Sequence, residues 1–216
     1  MLSLEAIVGA AVAIAVREGV DAVAMSRVAH ALGVGTMSLY RHVEGKRELL
    51  ALMVDSVFAQ APAAPGPRER WRTALTRWAA AHLDVLRRHP WVVRVPISGP
   101  PVTPNQVRWF EHGLRSLART GLKEGEKLAV LLLVNGVVRN HATLEADLAA
   151  SAAEGGIHDS VRAYGATLQS LIDAERFPAL SRLFAAANRD GPESRNGGFD
   201  FALARVLDGV AALVGR

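Results

Sequence analysis

No cysteine occurs among the 216 residues. Its absence excludes a disulfide framework, a thiolate nucleophile and any cysteine-ligated zinc or iron–sulfur centre, and it suits a reducing, cytoplasmic setting. Long hydrophobic runs are missing as well. Leu128 to Val134 falls far short of the ~20 apolar residues of a membrane-spanning helix. The one stretch of leader-like length, Ile7 to Val16, follows Glu5 and no Lys or Arg, so the basic start of a signal peptide is lacking. The expectation is a soluble chain with no membrane partner. Charge of one sign is scarce: 25 Lys and Arg against 21 Asp and Glu leave only +4, too small a surplus to announce a nucleic-acid partner by itself. Enzyme signatures are also missing. Gly33-Val34-Gly35 fails the G-x-G-x-x-G pattern at Ser38, and there is no Walker lysine, no H-E-x-x-H and no G-x-S-x-G. No cofactor and no catalysis are expected.

What is present is apolar substance in helical order. Half the residues are hydrophobic, enough for a sizeable core, and they recur at intervals of three and four with no strand-like alternation. The fold class is therefore all-α. A first amphipathic helix runs from Ser3 to Glu18 with Leu4, Ile7, Ala11 and Ile14 on one face. Short helices over Ser26 to Leu32 and Thr36 to His42 are separated by Gly33-Val34-Gly35, and a fourth extends from Glu44-Gly45-Lys46 to about Ala61. The run Pro62-Ala-Ala-Pro-Gly-Pro67 cannot propagate a helix and marks the boundary between a head (1–50, its fourth helix continuing as connector) and a body (68–216). In the body, helices are expected over Arg68–His89, Gln106–Arg119 (Val107, Phe110, Leu114 and Leu117 aligned), Glu124–Ala153, His158–Ala174, Leu180–Ala187 and Phe199–Val214. A proline-rich connector, Pro90 to Pro104, is suited to lining or gating something.

Two short helices across a tight glycine turn, braced by a preceding helix, have the proportions of a helix-turn-helix DNA-binding unit. The second short helix is too polar for a core element: beside Met37 and Leu39 it offers Thr36, Ser38, Tyr40, Arg41 and His42 to phosphates and base edges. Residues 1–50 are neutral overall, yet within 26–47 Arg27, Arg41, Lys46 and Arg47 face only Glu44. Lys46 also stands at a helix start, where an ammonium opposes the macrodipole unless a phosphate is held by both.

The run Leu32-Gly-Val-Gly-Thr-Met-Ser-Leu-Tyr-Arg-His-Val-Glu-Gly-Lys-Arg-Glu-Leu-Leu50 resembles the DNA-binding signature of the tetracycline-repressor family. The resemblance is dense over residues 1–50 and rests beyond them on the helix pattern alone. It implies a three-helix head on a helical-bundle body, double-stranded operator DNA as partner, and a homodimer that answers a small effector. By the same likeness Thr36, Met37, Ser38, Tyr40 and His42 lie at or near the major groove, while Tyr40, Lys46, Ser26 and Arg27 hold phosphates. Arg41 is assigned to DNA by its charge. Ala24 stands where such proteins usually carry Ser or Thr, so the second helix lacks its cap unless Ser26 supplies one late.

In the body, His82 interrupts the Trp71, Leu75, Trp78 and Leu86 face, and Asn135 interrupts the Leu128, Leu131 and Val138 face. Each alone reads as a satisfied core polar group. Together with Trp78, Phe110, Leu114 and Leu131, His82 and Asn135 suit an apolar cavity with a few orienting groups, and the resemblance implies an effector pocket among these helices. It also implies a four-helix dimer interface from Val130, Val134, Val137 and His141 with Phe201, Val206, Val210 and Leu213. His141 and Glu145 are two metal-ligand types at one helical turn with no third, so no metal is expected. The reading is a DNA-binding regulator, most simply a repressor released by a largely apolar effector. The alternatives are a helical interaction module, which leaves the polar Thr36–His42 segment unexplained, and an activator or co-repressor-type regulator not induced by ligand. Lys46→Ala is expected to weaken binding to every duplex alike and to lower the salt slope of log K by about 0.9 for the lost phosphate contact; an unchanged slope in fluorescence-anisotropy titrations refutes that role.

Overall fold

Ser3 opens the first helix by accepting the Ala6 N–H on its Oγ at 3.1 Å. The computed structural model describes residues 2–97, 99–100, 102–151, 167, 171–173, 175–190 and 197–215. Helix α1 spans Leu4–Glu18 and stops at Gly19, whose φ of 84° favours glycine. After a 3₁₀ turn, α2 (Met25–Ala31), α3 (Thr36–Leu39) and α4 (Lys46–Val57) complete the head. Ile7, Ala11, Val28, Leu39, Leu49 and Met53 are buried to within 2% and form its centre, each large one contributing about 1.5–3 kcal/mol by leaving water. Leu4, expected on this face, is exposed.

Helix α3 is shorter than its sequence suggested. It ends at Leu39, and a turn carries on through Val43, with His42 N–H and Val43 N–H both donating to the Leu39 carbonyl at 2.8 and 3.0 Å. Helix α2 begins one residue earlier than expected, at Met25. Ala24 is therefore its cap and offers no side-chain acceptor, while Ser26 sits inside the first turn and does not cap.

The body consists of α5 (Trp71–Arg88), a 3₁₀ turn at Pro90–Arg94, α6 (Pro104–Ser116), α7 (Glu124–Ser151), α8 (Pro178–Asp190) and α9 (Gly197–Val214). The helix expected over His158–Ala174 lies, but for a few positions, outside the described residues. Strands are absent among the described residues. Helix α5 is the hub. Its Leu75, Trp78, Ala79, His82, Leu83 and Leu86, spaced at three and four, are buried against α6 and α7. Gly113 lets α6 come close: a Cβ there would meet Leu131 Cδ1 at 2.5 Å and Trp78 Cε2 at 3.2 Å.

The proline linker is pinned to the body. Arg77 donates to the Ala63 carbonyl at 2.7 Å and forks onto Glu69, while His112 Nδ1 lies 2.9 Å from the Pro62 carbonyl. Helix α9 packs on α7 through Phe199, Leu203, Leu207 and Val210. No helix of the described residues is long and apolar enough to cross a membrane. The bare start of α2 gives a stability test: Ala24→Ser is expected to raise the urea midpoint at constant m-value by about 1 kcal/mol of stability, and no gain would show that the α2 start is satisfied in another way.

Candidate nucleic-acid interface and ligand cavity

The head's outer face is built around a glycine turn. Gly33, at φ 66°, closes α2 with a Schellman pair: its N–H donates to the His30 carbonyl at 3.1 Å and the Val34 N–H to the Ala29 carbonyl at 3.0 Å. That turn aims α3 outward. Leu39 anchors it at 0% exposure, leaving Met37 at 77% and Tyr40 at 47%. Arg41 and His42 are exposed beside them, Thr36 and Ser38 are half-buried, and Arg41 Nη2 donates to Ser38 Oγ at 3.3 Å. Ser26 and Lys46 are exposed at the starts of α2 and α4.

Arg27 differs from expectation. Its guanidinium is in an ion pair with Glu18 and lies 3.4 Å from the Ala22 carbonyl, so it reaches a phosphate only by leaving Glu18. The net charge of the outer face then rests mainly on Arg41, Lys46 and Arg47.

The other end of α4 borders a cavity of about 510 Å³, within the range of small-molecule sites. Val54 of α4 and Phe58, at the cap that follows this helix, line the cavity with Trp78 and His82 of α5. Helix α6 adds Gln106, Trp109 and Phe110, α7 adds Leu128, Leu131, Leu132, Asn135 and Arg139, and the connector contributes Val92 and Ile97. Of the six expected residues, Trp78, His82, Phe110, Leu131 and Asn135 are brought together here. Leu114 is not: it packs half-buried against the core one turn further along α6. The expected α6 face was rotated by about one position, since Val107 is exposed and Trp109 is buried. Sequence reasoning also missed Phe58 and Arg139, although Arg139 follows Asn135 by one helical turn.

Aromatic edges make the cavity floor. Phe58 and His82 are 5.2 Å apart in a T-shape, as are Phe58 and Trp109 at 5.3 Å and Trp78 and His82 at 5.3 Å. Both indole N–H groups are spoken for: Trp78 donates to the Trp109 carbonyl and Trp109 to the Phe58 carbonyl, each at 2.8 Å. His82 Nδ1 has no partner among the described residues. Burial, reinforced by the nearby Arg139 cation, pushes the His82 imidazole down to about 3, so it is neutral at ordinary pH.

A carboxylate ties this cavity to the head. Asp55 of α4 is 8% exposed; its Oδ1 accepts the Asn105 and Gln106 N–H groups at 2.9 and 3.0 Å, and Asn105 Nδ2 donates to its Oδ2 at 2.9 Å. An acid from one helix thus caps the N-terminus of another. A larger groove of about 680 Å³, between the linker, α6 and α9, is lined by Arg68, Arg70, Arg115 and Arg119. It lacks any α4 residue and touches no part of the head.

Residues 7–53 match the family described as bacterial regulatory proteins, tetR family, and residues 64–214 match the tetracyclin repressor-like C-terminal domain. The chain belongs to the TetR family. It is 36% identical over 219 residues to the HTH-type transcriptional repressor DrrR1 of Streptomyces coeruleorubidus, covering 100% of this chain and 79% of the relative. Among solved structures, apo ActR of Streptomyces coelicolor superposes with a TM-score of 0.80 at 26% identity, covering 99% of this chain and 97% of ActR. ActR in complex with (S)-DNPA gives 0.77 at 25% identity, with 98% of each chain covered. TetR-family proteins are regulators of transcription, not enzymes.

The expected interface residues divide in this TetR-family chain. Val130, Val134 and Val210 are buried within a single protomer, where α7 and α9 pack on their neighbours. Val137, His141 and Val206 are half-buried, while Phe201 and Leu213 are exposed. His141 Nε2 lies 3.3 Å from Glu145 Oε1 without the alignment of a hydrogen bond, and Arg87 grips that carboxylate at 2.8 and 2.7 Å. The low His82 pKa sets a sign. Between about 3 and 6.5 the unfolded chain binds the proton and the folded one does not, so stability is full above the unfolded value and falls as pH drops through this window. Chemical denaturation of wild type and His82→Gln is expected to show a wild-type slope steeper by up to about 1.4 kcal/mol per pH unit there; parallel slopes would mean that His82 protonates in the folded state.

Proposed function

We propose that this TetR-family regulator is a homodimeric repressor that holds an inverted-repeat operator through two heads and is released by a small, largely apolar effector bound in the α4–α7 cavity. One observation carries the reading: α4 is shared by both sites. Its first residue, Lys46, stands on the outer face of the head, and its Val54 with the capping Phe58 forms a wall of the cavity. Asp55 and the Phe58 carbonyl bind it to α6. A ligand that moves α6 therefore moves α4 and, through it, the head. The ligand shifts the balance between two head spacings by no more than its difference in affinity for them. That DrrR1 is a transcriptional repressor and that ActR takes (S)-DNPA support the same assignment.

For the dimer, α7 and α9 leave Leu133, Leu144, Phe201 and Leu213 exposed. Such side chains in two adjacent helices suit a self-complementary apolar interface. Thr36 and Ser38 of the two protomers then meet successive major grooves while Lys46 holds phosphates, which requires a two-fold operator. The dimer acts on DNA in the cytoplasm, with no membrane partner. Two variants test the scheme. Phe201→Glu, at 66% exposure, is expected to give a folded monomer in sedimentation and to lose footprint protection of the operator. Asn135→Ala is expected to keep operator affinity in the same footprint while blunting release by effector in a reporter strain. A monomeric wild type at micromolar concentration, or loss of operator affinity in Asn135→Ala at unchanged melting temperature, would overturn it.

A further inference from the structure

Among the described residues, the cavity wall carries one charge and no countercharge. Arg139 is half-buried there, and among the described lining residues there is no Asp or Glu. Its guanidinium makes no ion pair or hydrogen bond with any described residue, and the same holds for the side chain of Asn135, one turn before it on α7. The Asp55 carboxylate of α4 is engaged by the start of α6. His82, nine-tenths buried, leaves Nδ1 without a partner. Three donor-capable groups are thus unspent on the border of one apolar space whose two indoles have already used their N–H groups and offer only ring faces and edges.

We propose that the cavity takes a flat aromatic acid with a single carboxylate, which Arg139 receives in a forked pair, with Asn135 and His82 Nδ1–H completing its hydrogen bonds. This rests on reading the cavity as the effector site and names the ligand class. The charge count selects a monoanion. One guanidinium balances one carboxylate, whereas a phosphate dianion would bring a second negative charge into an apolar space without compensation. The planar fork matches a carboxylate in shape as well as sign. The aromatic part follows from the Trp78, Phe58, Trp109 and Phe110 surfaces. His82 fits the role because its neutral imidazole can place its proton on Nδ1. Burial and the Arg139 charge hold it neutral, so it adds a donor without adding a second cation.

The test uses the full-length dimer and two probes of equal shape, anthracene-2-carboxylate and anthracene-2-carboxamide, followed by quenching of tryptophan emission. Wild type is expected to bind the carboxylate at least about tenfold more tightly than the carboxamide, and Arg139→Gln to remove that preference while changing carboxamide affinity less than about twofold. If Arg139→Gln fails to fold, the wild-type ratio still decides. Equal affinities in wild type, or a preference that survives in folded Arg139→Gln, overturn the anion assignment and leave the cavity reading standing. Binding of neither probe overturns both.

Discussion

The Asp55 carboxylate at the start of α6 is the joint on which the working parts depend. Backbone N–H groups at a helix start have no partner within the helix, and here two of them, with the Asn105 amide, converge on a buried acid from the head's last helix. A carboxylate in this position gains both charge-assisted hydrogen bonds and the favourable end of the macrodipole. At 8% exposure it has little water to fall back on. Separating α4 from α6 would leave a charge and several donors uncompensated, so the two helices move together or not at all. Trp109 reinforces the joint by donating to the Phe58 carbonyl at the end of α4. The chain then runs on through the Trp78 N–H to the Trp109 carbonyl and so to α5.

How much of this could be read in advance follows from what each residue type announces. The glycine turn and the polar α3 were legible because a helix with so few apolar positions has no place in a core, and the α5 and α7 faces were legible because Trp78, His82, Leu131 and Asn135 keep helical phase. Phase alone misjudged α6. There the proline at 104 sets the helix start, and both Trp109 and Phe110 border the cavity, so a face drawn through Val107 and Leu114 lies one position off. Asp55 was invisible for a different reason: an acid on a connector helix looks solvated until a second helix end, 50 residues away, is placed against it. Val134 shows a third limit, being buried within one protomer. A helix apolar on several sides shows that it has several neighbours but not whether they belong to the same chain. The Glu18 partner of Arg27 is hidden in the sequence because it sits on the preceding helix, and only the α1–α2 packing brings the two together.

The cavity is stabilised less than a solid core would be, and the deficits have a pattern. An unpartnered buried nitrogen costs about 1–3 kcal/mol, a half-buried guanidinium without a counter-ion adds desolvation, and Gly113 in mid-helix forgoes about 1 kcal/mol relative to alanine. The Gly113 deficit keeps the cavity's dimensions: a Cβ there would push Leu131, which lines the space, and press on Trp78. The other two leave polar groups unsatisfied on its wall. A ligand that supplies partners to His82 and Arg139 recovers in binding what the fold by itself forgoes. It does so from within the cavity that Val54 and Phe58 wall on the head's side. Satisfaction of those groups is tied to the position of α6, and α6 is tied to Asp55. The energy available for moving the head is therefore bounded by these few contacts, which is the scale on which a DNA-bound and a ligand-bound arrangement of one sequence exchange.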